Sequence, residues 1–551
     1  MTADLIQKLK DLIKGDILSD EQTLEQYSHD ASIFELKPQA VVFPKNVSDL
    51  KTLVKFTSEH KKENPDLSLT ARSAGTDMGG GSINDSIIVE FSKYFNKMSV
   101  NPDDKTATTQ PGVYYRDFEK QTLKYNLIFP SYPASRELCA MGGIVNNNSG
   151  GEKSLSYGKT EKYIKSLKMI LSDGNEYEFH KLNEGELNKK LVQKDFEGEI
   201  YRKIHSLIIN HLSLITNAKP HVSKNSAGYY LWNIYDKDEG TFDLTQLFTG
   251  AQGTLGLLSE AKIGLVPTKK HAEMMILFLH DMNHLGEIID LILPLKPDTF
   301  EAYDDNTLKL ALKYFPEFAK LLGTKSFIKT AIDFLPEFLM VLFGGMPKLV
   351  LQIDFQSDDR DELDQKISEL REKLKPLHPK IRIAEDKQEL KYWLIRRESF
   401  NLLRQKIRNK HTAPFIDDFV VPPQHLPEFL PKLQEILKKY PQLVSTLAGH
   451  VGDGNFHIIP LMNIEDPKQR AIIPVLGKEV YDLVLAYGGT ITGEHNDGLI
   501  RTPYLKQMYG EKIYSLFKEV KKIFDPLDIF NPRKKVGATM DYSMEHVRTT
   551  F

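Results

Sequence analysis

Short apolar runs punctuated by Gly and Pro fill the first half of the 551-residue chain. Ala40-Val41-Val42-Phe43-Pro44 has the length and β-branched content of a strand, and Asn46 or Ser48 is placed to cap a helix predicted over Asp49–His60. Leu67–Ala71 and Ser86–Phe91 read as strands on either side of a glycine-rich loop. Lys105–Thr109 reads as a strand entering Pro111-Gly112-Val113, Tyr115–Tyr125 as a helix, and Ile164–Leu171 as a strand closed by the turn Ser172-Asp173-Gly174. Such mixed order predicts α+β subdomains. The pattern changes near Pro267, which sets the main boundary. Beyond it, Met274–His280 and Leu349–Phe355 read as strands, each followed by a helix, Leu285–Leu293 and the charged Asp359–Leu374. Strand–helix–strand units of this kind suit an antiparallel sheet covered by helices. The last long helix is predicted over Pro503–Phe524, with Thr502 as N-cap and Pro503 at its first position.

A chain of this length exceeds one ordinary hydrophobic core, so two or more domains are expected. Apolar content of 41% and charged content of 27% are those of a soluble globular protein. A net charge of −3 gives no general attraction to nucleic acid or anionic lipid. The single cysteine, Cys139, excludes an internal disulfide, a cysteine zinc site and a self-ligated iron–sulfur cluster, and fits a reducing compartment. Leu5, Ile6, Leu9, Leu12 and Ile13 form a helical stripe broken by Lys8, Lys10 and Asp11, which is not the uncharged core of an export signal. No apolar run reaches the length of a membrane span. The nearest, Ala331–Met346, contains Asp333, Pro336 and Glu337 and reads as a core helix; a homodimer contact or a peripheral membrane patch are its alternatives. A cytoplasmic location is expected, with peripheral contact at the inner face of a membrane as the alternative.

Three glycine clusters carry candidate ligand chemistry. Arg72-Ser73-Ala74-Gly75-Thr76-Asp77-Met78-Gly79-Gly80-Gly81 follows a strand, and consecutive N–H groups in such a loop can form a nest for a pyrophosphate. The next segment is strand-like and no Lys-Ser/Thr follows, so this is neither a Rossmann fingerprint nor a P-loop; a tight hairpin loop is the other reading. Met141–Gly151 and Thr249–Gly256 are the second and third clusters. Three such clusters flanked by apolar strands argue for one extended ligand lying across the domain.

The second half carries His450-Val451-Gly452-Asp453-Gly454-Asn455-Phe456-His457. Asp453-Gly454 suits a two-residue primed turn, which sets Gly452 opposite Asn455, Val451 opposite Phe456 and His450 opposite His457. Gly493-Glu494-His495-Asn496-Asp497-Gly498 offers a carboxylate and a further imidazole. Two His, one Glu and an open position make a catalytic metal set; a polar hairpin with two solvated histidines is the alternative.

The order of Arg-Ser-Ala-Gly-Thr at 72–76, Gln110-Pro111-Gly112-Val113, Pro133-Ala134-Ser135, Met141-Gly142-Gly143 to Ser149-Gly150, Tyr157-Gly158, Ser172-Asp173-Gly174 and Gly253-Thr254-Leu255-Gly256 resembles the FAD-binding domain of the p-cresol methylhydroxylase/vanillyl-alcohol oxidase superfamily. The C-terminal half resembles the FAD-linked oxidase cap found in D-lactate dehydrogenases, glycolate oxidases and D-2-hydroxyglutarate dehydrogenases. The resemblance runs from about residue 35 to Gly537. It implies an α+β chain with an N-terminal helical segment (1–34), a two-subdomain FAD-binding domain (35–267) and a ferredoxin-like substrate and metal domain (268–551).

By that resemblance Ser73, Ala74, Gly75, Thr76 and Asp77, with Gly79 and Gly80, wrap the FAD pyrophosphate. Pro133, Ser135, Gly142, Gly143, Ser149 and Gly150 line the flavin and ribityl path, and Asn147 and Gly256 join the cofactor set. Asn531-Pro532 matches an Asn-Pro-Gly-Lys ending that helps hold the flavin, with Arg533 in place of the Gly; Gln252 stands where relatives often have Glu. No His lies between His60 and His180, so FAD is expected to bind non-covalently. His450, His457 and Glu494 would hold a divalent metal, usually zinc, and His495 would be the general base. Arg396, in Trp393-Leu394-Ile395-Arg396, would clamp the substrate carboxylate, with a surface Arg as the other reading. The Thr that D-2-hydroxyglutarate relatives carry one turn on falls on Phe400 here, with Asn401 next, so the side pocket departs from theirs. The implied reaction is oxidation of a D-2-hydroxy acid to the 2-oxo acid, with hydride passing to flavin N5. Electrons would then leave to a separate acceptor: an iron–sulfur protein, an electron-transferring flavoprotein or quinone. The alternatives are a non-catalytic flavin electron-transfer subunit and an alkyl-glycerone-phosphate-synthase-like FAD enzyme.

Overall fold

A computed structural model of the chain describes residues 2–313, 335, 345–384, 391–393, 395–396 and 410–550. Most of the apolar stretch at 331–346 lies outside the described residues, as do positions 400 and 401.

The first sheet has four strands in the order Asp16–Leu18, Ala40–Phe43, Ile87–Glu90, Leu69–Arg72. Its last three strands are parallel, and Val41, Val42, Ile87, Ile88 and Val89 are fully buried. Burial on both faces explains why these strands read as continuous apolar runs. Asn46 caps Val47–His60, accepting from the Asp49 amide at 3.1 Å. The second sheet has five antiparallel strands in the order Met98–Asn101, Thr106–Thr109, Leu257–Gly264, Ile164–Ile170, Glu176–His180. The second glycine cluster begins as a short helix, Met141–Asn147, ended by Asn148 in the left-handed region (φ 50°).

After residue 267 the strands His271–Leu279, Thr299–Asp304, Leu349–Ser357 and Lys380–Ala384 form an antiparallel sheet in spatial order four-one-three-two. That is the ferredoxin-like order. Leu285–Ile292 and Arg360–Leu374 pack on one face through Ile288, Ile292, Leu363 and Leu370, against Met275, Leu277 and Leu351. Three more strands, Leu447–His450, Asn455–Ile458 and Phe419–Val420, extend the sheet on the Thr299–Asp304 side. Period-2 alternation puts Glu301 on the face away from the helices, opposite His450 in the extended register.

The chain then returns to the first half. Leu505–Phe524, kinked at Gly510 (φ 76°), buries Phe517, Val520 and Phe524 in the core of the five-stranded sheet. Past it, the Leu69 amide donates to the Ile529 carbonyl at 2.7 Å and the Asn531 amide to the Leu69 carbonyl at 2.8 Å. Thr502 does not cap this helix: a 3₁₀ turn, Thr502–Tyr504, precedes it, and the Thr502 hydroxyl bonds the Gly498 carbonyl and the Lys535 amide. Lys535 Nζ lies 2.9 Å from Asp497 Oδ2, with both side chains fully buried. Among the described residues no helix is long and apolar enough to cross a membrane.

Breaking one partner of a buried ion pair strands the other charge. Lys535→Met is therefore expected to lower unfolding free energy by about 3–5 kcal/mol, read from the urea midpoint. Adding Asp497→Asn should recover part of that loss; a double variant no better than the single would count against the pair.

Candidate functional site

The His450–His457 hairpin differs in register from its sequence expectation. His450 pairs with Asn455 and Ala448 with His457, so the connection is Val451–Gly454, a 3₁₀ turn closed by Gly454 in the left-handed region. Gly454 is required by close approach: a Cβ there would lie 1.7 Å from the Val421 carbonyl oxygen. The two imidazoles are diagonal rather than opposed, yet period-2 alternation keeps them on one face. Their ring centroids are 5.4 Å apart.

Each imidazole is oriented by a buried carboxylate on its Nδ1. His450 Nδ1 lies 2.7 Å from Glu301 Oε1, and His457 Nδ1 lies 3.1 Å from Asp417 Oδ1. Their Nε2 atoms face Glu494, at 3.3 Å from Oε1 and 4.0 Å from Oε2 respectively. Donor atoms of His450, His457 and Glu494 all fall within 4.8 Å of one another, as do those of Asp417, His457 and His495 and those of Asp418, Glu494 and His495.

The Glu494-His495 loop is fixed by Asp418, which is itself at φ 68°. Asp418 Oδ2 accepts from the Thr492 hydroxyl (2.6 Å), the Glu494 amide (2.8 Å) and the His495 amide (2.7 Å), while Oδ1 accepts from Asn455 Nδ2 (3.1 Å). His495 stacks on His457 with centroids 5.1 Å apart, and its Nδ1 is 2.5 Å from Asp417 Oδ2. That contact is an ion-pair approach rather than an aligned hydrogen bond. The fully buried Arg501 donates to the Asp417 carbonyl at 2.7 Å and to the Asn496 carbonyl at 3.0 Å.

Glu301 and Lys224 were not singled out by the sequence, and Asp453 was read only as a turn residue. Lys224 Nζ, from the first half, lies 2.6 Å from Glu494 Oε1 and 3.0 Å from Asp453 Oδ2. Glu301 lies in Thr299–Asp304, a strand buried on both faces, which its sequence does not announce. Lys224 offered no signal either. Arg396 stands in the site, but its guanidinium pairs with the second oxygen of Glu301.

One cavity of about 770 Å³ takes in both halves. From the first half it is lined by Ser73, Ala74, Gly75, Thr76, Asp77, Pro133, Ser135, Gly142, Gly143, Asn147 and Ser149, and from the second by Arg396, His450, His457, Glu494 and His495. No described residue accepts from the amides of Ala74, Gly75 or Thr76, so they remain available to an anionic ligand. A Cβ on Gly143 would meet open space. Gly79, Gly80, Gly150, Gly256 and Asn531 do not line the cavity; they act behind it. Asp77 Oδ2 accepts from the Gly79 and Gly81 amides, and Asn531 Nδ2 donates to the Gly81 and Gln252 carbonyls, closing the loop from below. Gly80 leaves room for Phe34, and Gly150 for Ser154. Gly256 packs on the Ile170 carbonyl. Arg533, where the motif has Gly, adopts the left-handed φ of 65° and turns outward to Asp85.

Burial disfavours charge at Glu494 and at His495, yet their charged partners prevail. Lys224 and His450 hold Glu494 well below the usual carboxylate range despite its burial. Burial pulls His495 down, but Asp417 and Asp418 outweigh it and raise its pKa to about 9. Since that exceeds the unfolded value of 6.5, the stabilisation from protonated His495 is fully present below pH 6.5 and is lost as pH rises through about 9. In metal-free protein, the His495 ring nitrogens should titrate by NMR near about 9, and Asp417→Asn should move the midpoint back toward 6.5. A midpoint unmoved by that substitution would remove Asp417 as the cause.

Residues 38–180 match the FAD binding domain family, and residues 269–535 match the C-terminal domain of FAD linked oxidases. The chain is 26% identical over 517 residues to a D-2-hydroxyglutarate dehydrogenase of Pantoea ananatis, covering 92% of this chain and 49% of that protein. It thus spans about half the length of that relative. It is 26% identical over 520 residues to the glycolate oxidase protein GlcD of Bacillus subtilis, covering 92% and 91% of the two chains. Among solved structures it resembles substrate-bound p-cresol methylhydroxylase with a TM-score of 0.66 at 16% identity, over 98% of this chain and 97% of the other, a likeness of fold. With its FAD binding domain followed by the C-terminal domain of FAD linked oxidases, the chain belongs to the FAD linked oxidases.

Proposed function

We propose that the chain is an FAD- and metal-dependent dehydrogenase of a D-2-hydroxy acid, of the D-2-hydroxyglutarate or D-lactate class. The observation that carries this reading is the shared cavity: an anion-ready glycine loop and a three-donor histidine–carboxylate cluster face one space of about 770 Å³. Relatives named for the oxidation of D-2-hydroxyglutarate and of glycolate support the substrate class.

The donor set fits a divalent ion. His450 and His457 have Nδ1 engaged by carboxylates, which turns both Nε2 atoms toward the Glu494 carboxylate, where they could ligate an ion together with it. Glycine-loop amides without an acceptor fit the FAD pyrophosphate. When bound, the metal would acidify the substrate hydroxyl and FAD would accept the C2 hydride. His495 takes the hydroxyl proton. Asp417 holds its ring through Nδ1, so Nε2 is the atom that must receive it. As a base His495 must be neutral, and a divalent charge beside Glu494 would oppose the two aspartates and lower its pKa toward neutrality. Arg396, steadied by Glu301, is the cation placed to meet a carboxylate. Reduced flavin would pass its electrons to a separate acceptor, such as an iron–sulfur protein, an electron-transferring flavoprotein or quinone.

Anaerobic addition of D-2-hydroxy acids to the purified flavoprotein is expected to bleach the flavin band, with the L-acids inert; bleaching by none of a panel would sink the assignment. Treatment with EDTA should abolish bleaching without releasing flavin, and zinc should restore it. His495→Asn should retain FAD and cut the reduction rate by about 100- to 10,000-fold; unchanged reduction would remove it as base.

A further inference from the structure

The mechanism leaves Lys224 unused, although it is 1% exposed and stands at the centre of the site. Its ammonium has three neighbours: Glu494 Oε1 at 2.6 Å, Asp453 Oδ2 at 3.0 Å and the Gly151 carbonyl at 3.2 Å. Asp453 occupies the hairpin tip between the two histidines and is 1% exposed, and neither of its oxygens has a hydrogen-bond donor. Lys224 is therefore its charge partner. The oxygen of Glu494 that Lys224 takes is the one facing His450; the other faces His457.

A catalytic metal needs an open coordination position for substrate. Here the competing donor is the second oxygen of Glu494, while Asp453 belongs to none of the donor groups that fall within 4.8 Å. We propose that Lys224 is a positioning residue that keeps the metal site open. By occupying Glu494 Oε1, it limits the protein to three donors, His450, His457 and the other oxygen of Glu494, while Asp453 holds the ammonium in place. It also ties this setting to the first half, because the same ammonium bonds the Gly151 carbonyl next to the cofactor path. The inference rests on the metal reading above.

Two signs follow from this role. Removing the ammonium should let both oxygens of Glu494 reach the ion, so metal binds more tightly while substrate loses its position. Removing Asp453 instead leaves the full ammonium charge on Glu494, so metal binds less tightly. A merely structural lysine would predict loss of metal and activity together.

The test uses full-length, FAD-loaded protein and zinc, with affinity measured by competition against a chromophoric chelator and flavin absorbance checking the fold. Lys224→Met is expected to hold zinc about 10-fold more tightly or better, within the 10–100-fold range of outer-shell effects, while kcat falls and KM for the acid rises. Asp453→Asn is expected to hold zinc several-fold less tightly. Should Lys224→Met fail to retain FAD, the Asp453→Asn result decides. Zinc affinity unchanged in both, or weakened in Lys224→Met, overturns the role of Lys224 alone. A parent protein that takes up no zinc overturns this proposal together with the metal reading.

Discussion

Two adjacent buried carboxylates, Asp417 and Asp418, hold the site together. Placing two anions at zero exposure is costly unless each oxygen is answered by a donor. Asp418 is answered by two loop amides, a hydroxyl and an amide side chain. Asp417 is answered by a hydrogen bond from His457 and by the ion-pair approach of His495. The cost of leaving any of these donors unmade fixes the loop carrying Glu494 and His495 against the hairpin carrying His450 and His457. Charged hydrogen bonds thus set the relative position of four side chains drawn from two separate stretches of sequence.

The same economy governs how the halves meet. The C-terminal segment returns to the four-stranded sheet beside Leu69, and Asn531 then secures Gly81 and Gln252 behind the glycine loop. Asn496, one residue past the candidate base, donates to the carbonyls of Asn147 and Gly250 from the second and third glycine clusters. Lys159 donates to the Gly493 carbonyl at 2.6 Å. Backbone carbonyls of one half are thus satisfied by side chains of the other. A shift of either half by an ångström would unpair several buried polar groups at once. The cavity between them is consequently held by polar satisfaction rather than by apolar packing alone.

Much of this was legible in sequence because it rests on local signals. The strand and helix order came from apolar period and from caps such as Asn46, and the glycine clusters marked backbone that lines the shared cavity. His450, His457 and Glu494 were legible as residue types, and because the register differs from expectation by two residues, both histidines still share one face. The register itself was not legible. Asp453-Gly454 signals a primed turn, but Gly454 is present because Val421 passes within touching distance, a tertiary fact with no local trace. Thr502 was misplaced as a cap because its hydroxyl is claimed by Lys535 from a distant segment. Lys224 and Glu301 have no motif; each matters through one long-range contact.

Charge balance explains why His495 sits where it does. Around the hairpin, Glu301, Asp417, Asp418, Asp453 and Glu494 are buried carboxylates, while Lys159, Lys224, Arg396 and Arg501 are the buried cations. Burial pushes Lys159 down to about 8, so its charge is the least secure of the four. The carboxylates outnumber the cations, and a low-dielectric setting magnifies that imbalance. A proton on His495 relieves it, which is the physical content of a pKa near about 9 in a metal-free site. A divalent cation at Glu494 would relieve it more completely, and would thereby release the proton from His495. The excess negative charge that keeps the imidazole protonated is thus also the feature that would draw a divalent ion to the proposed site.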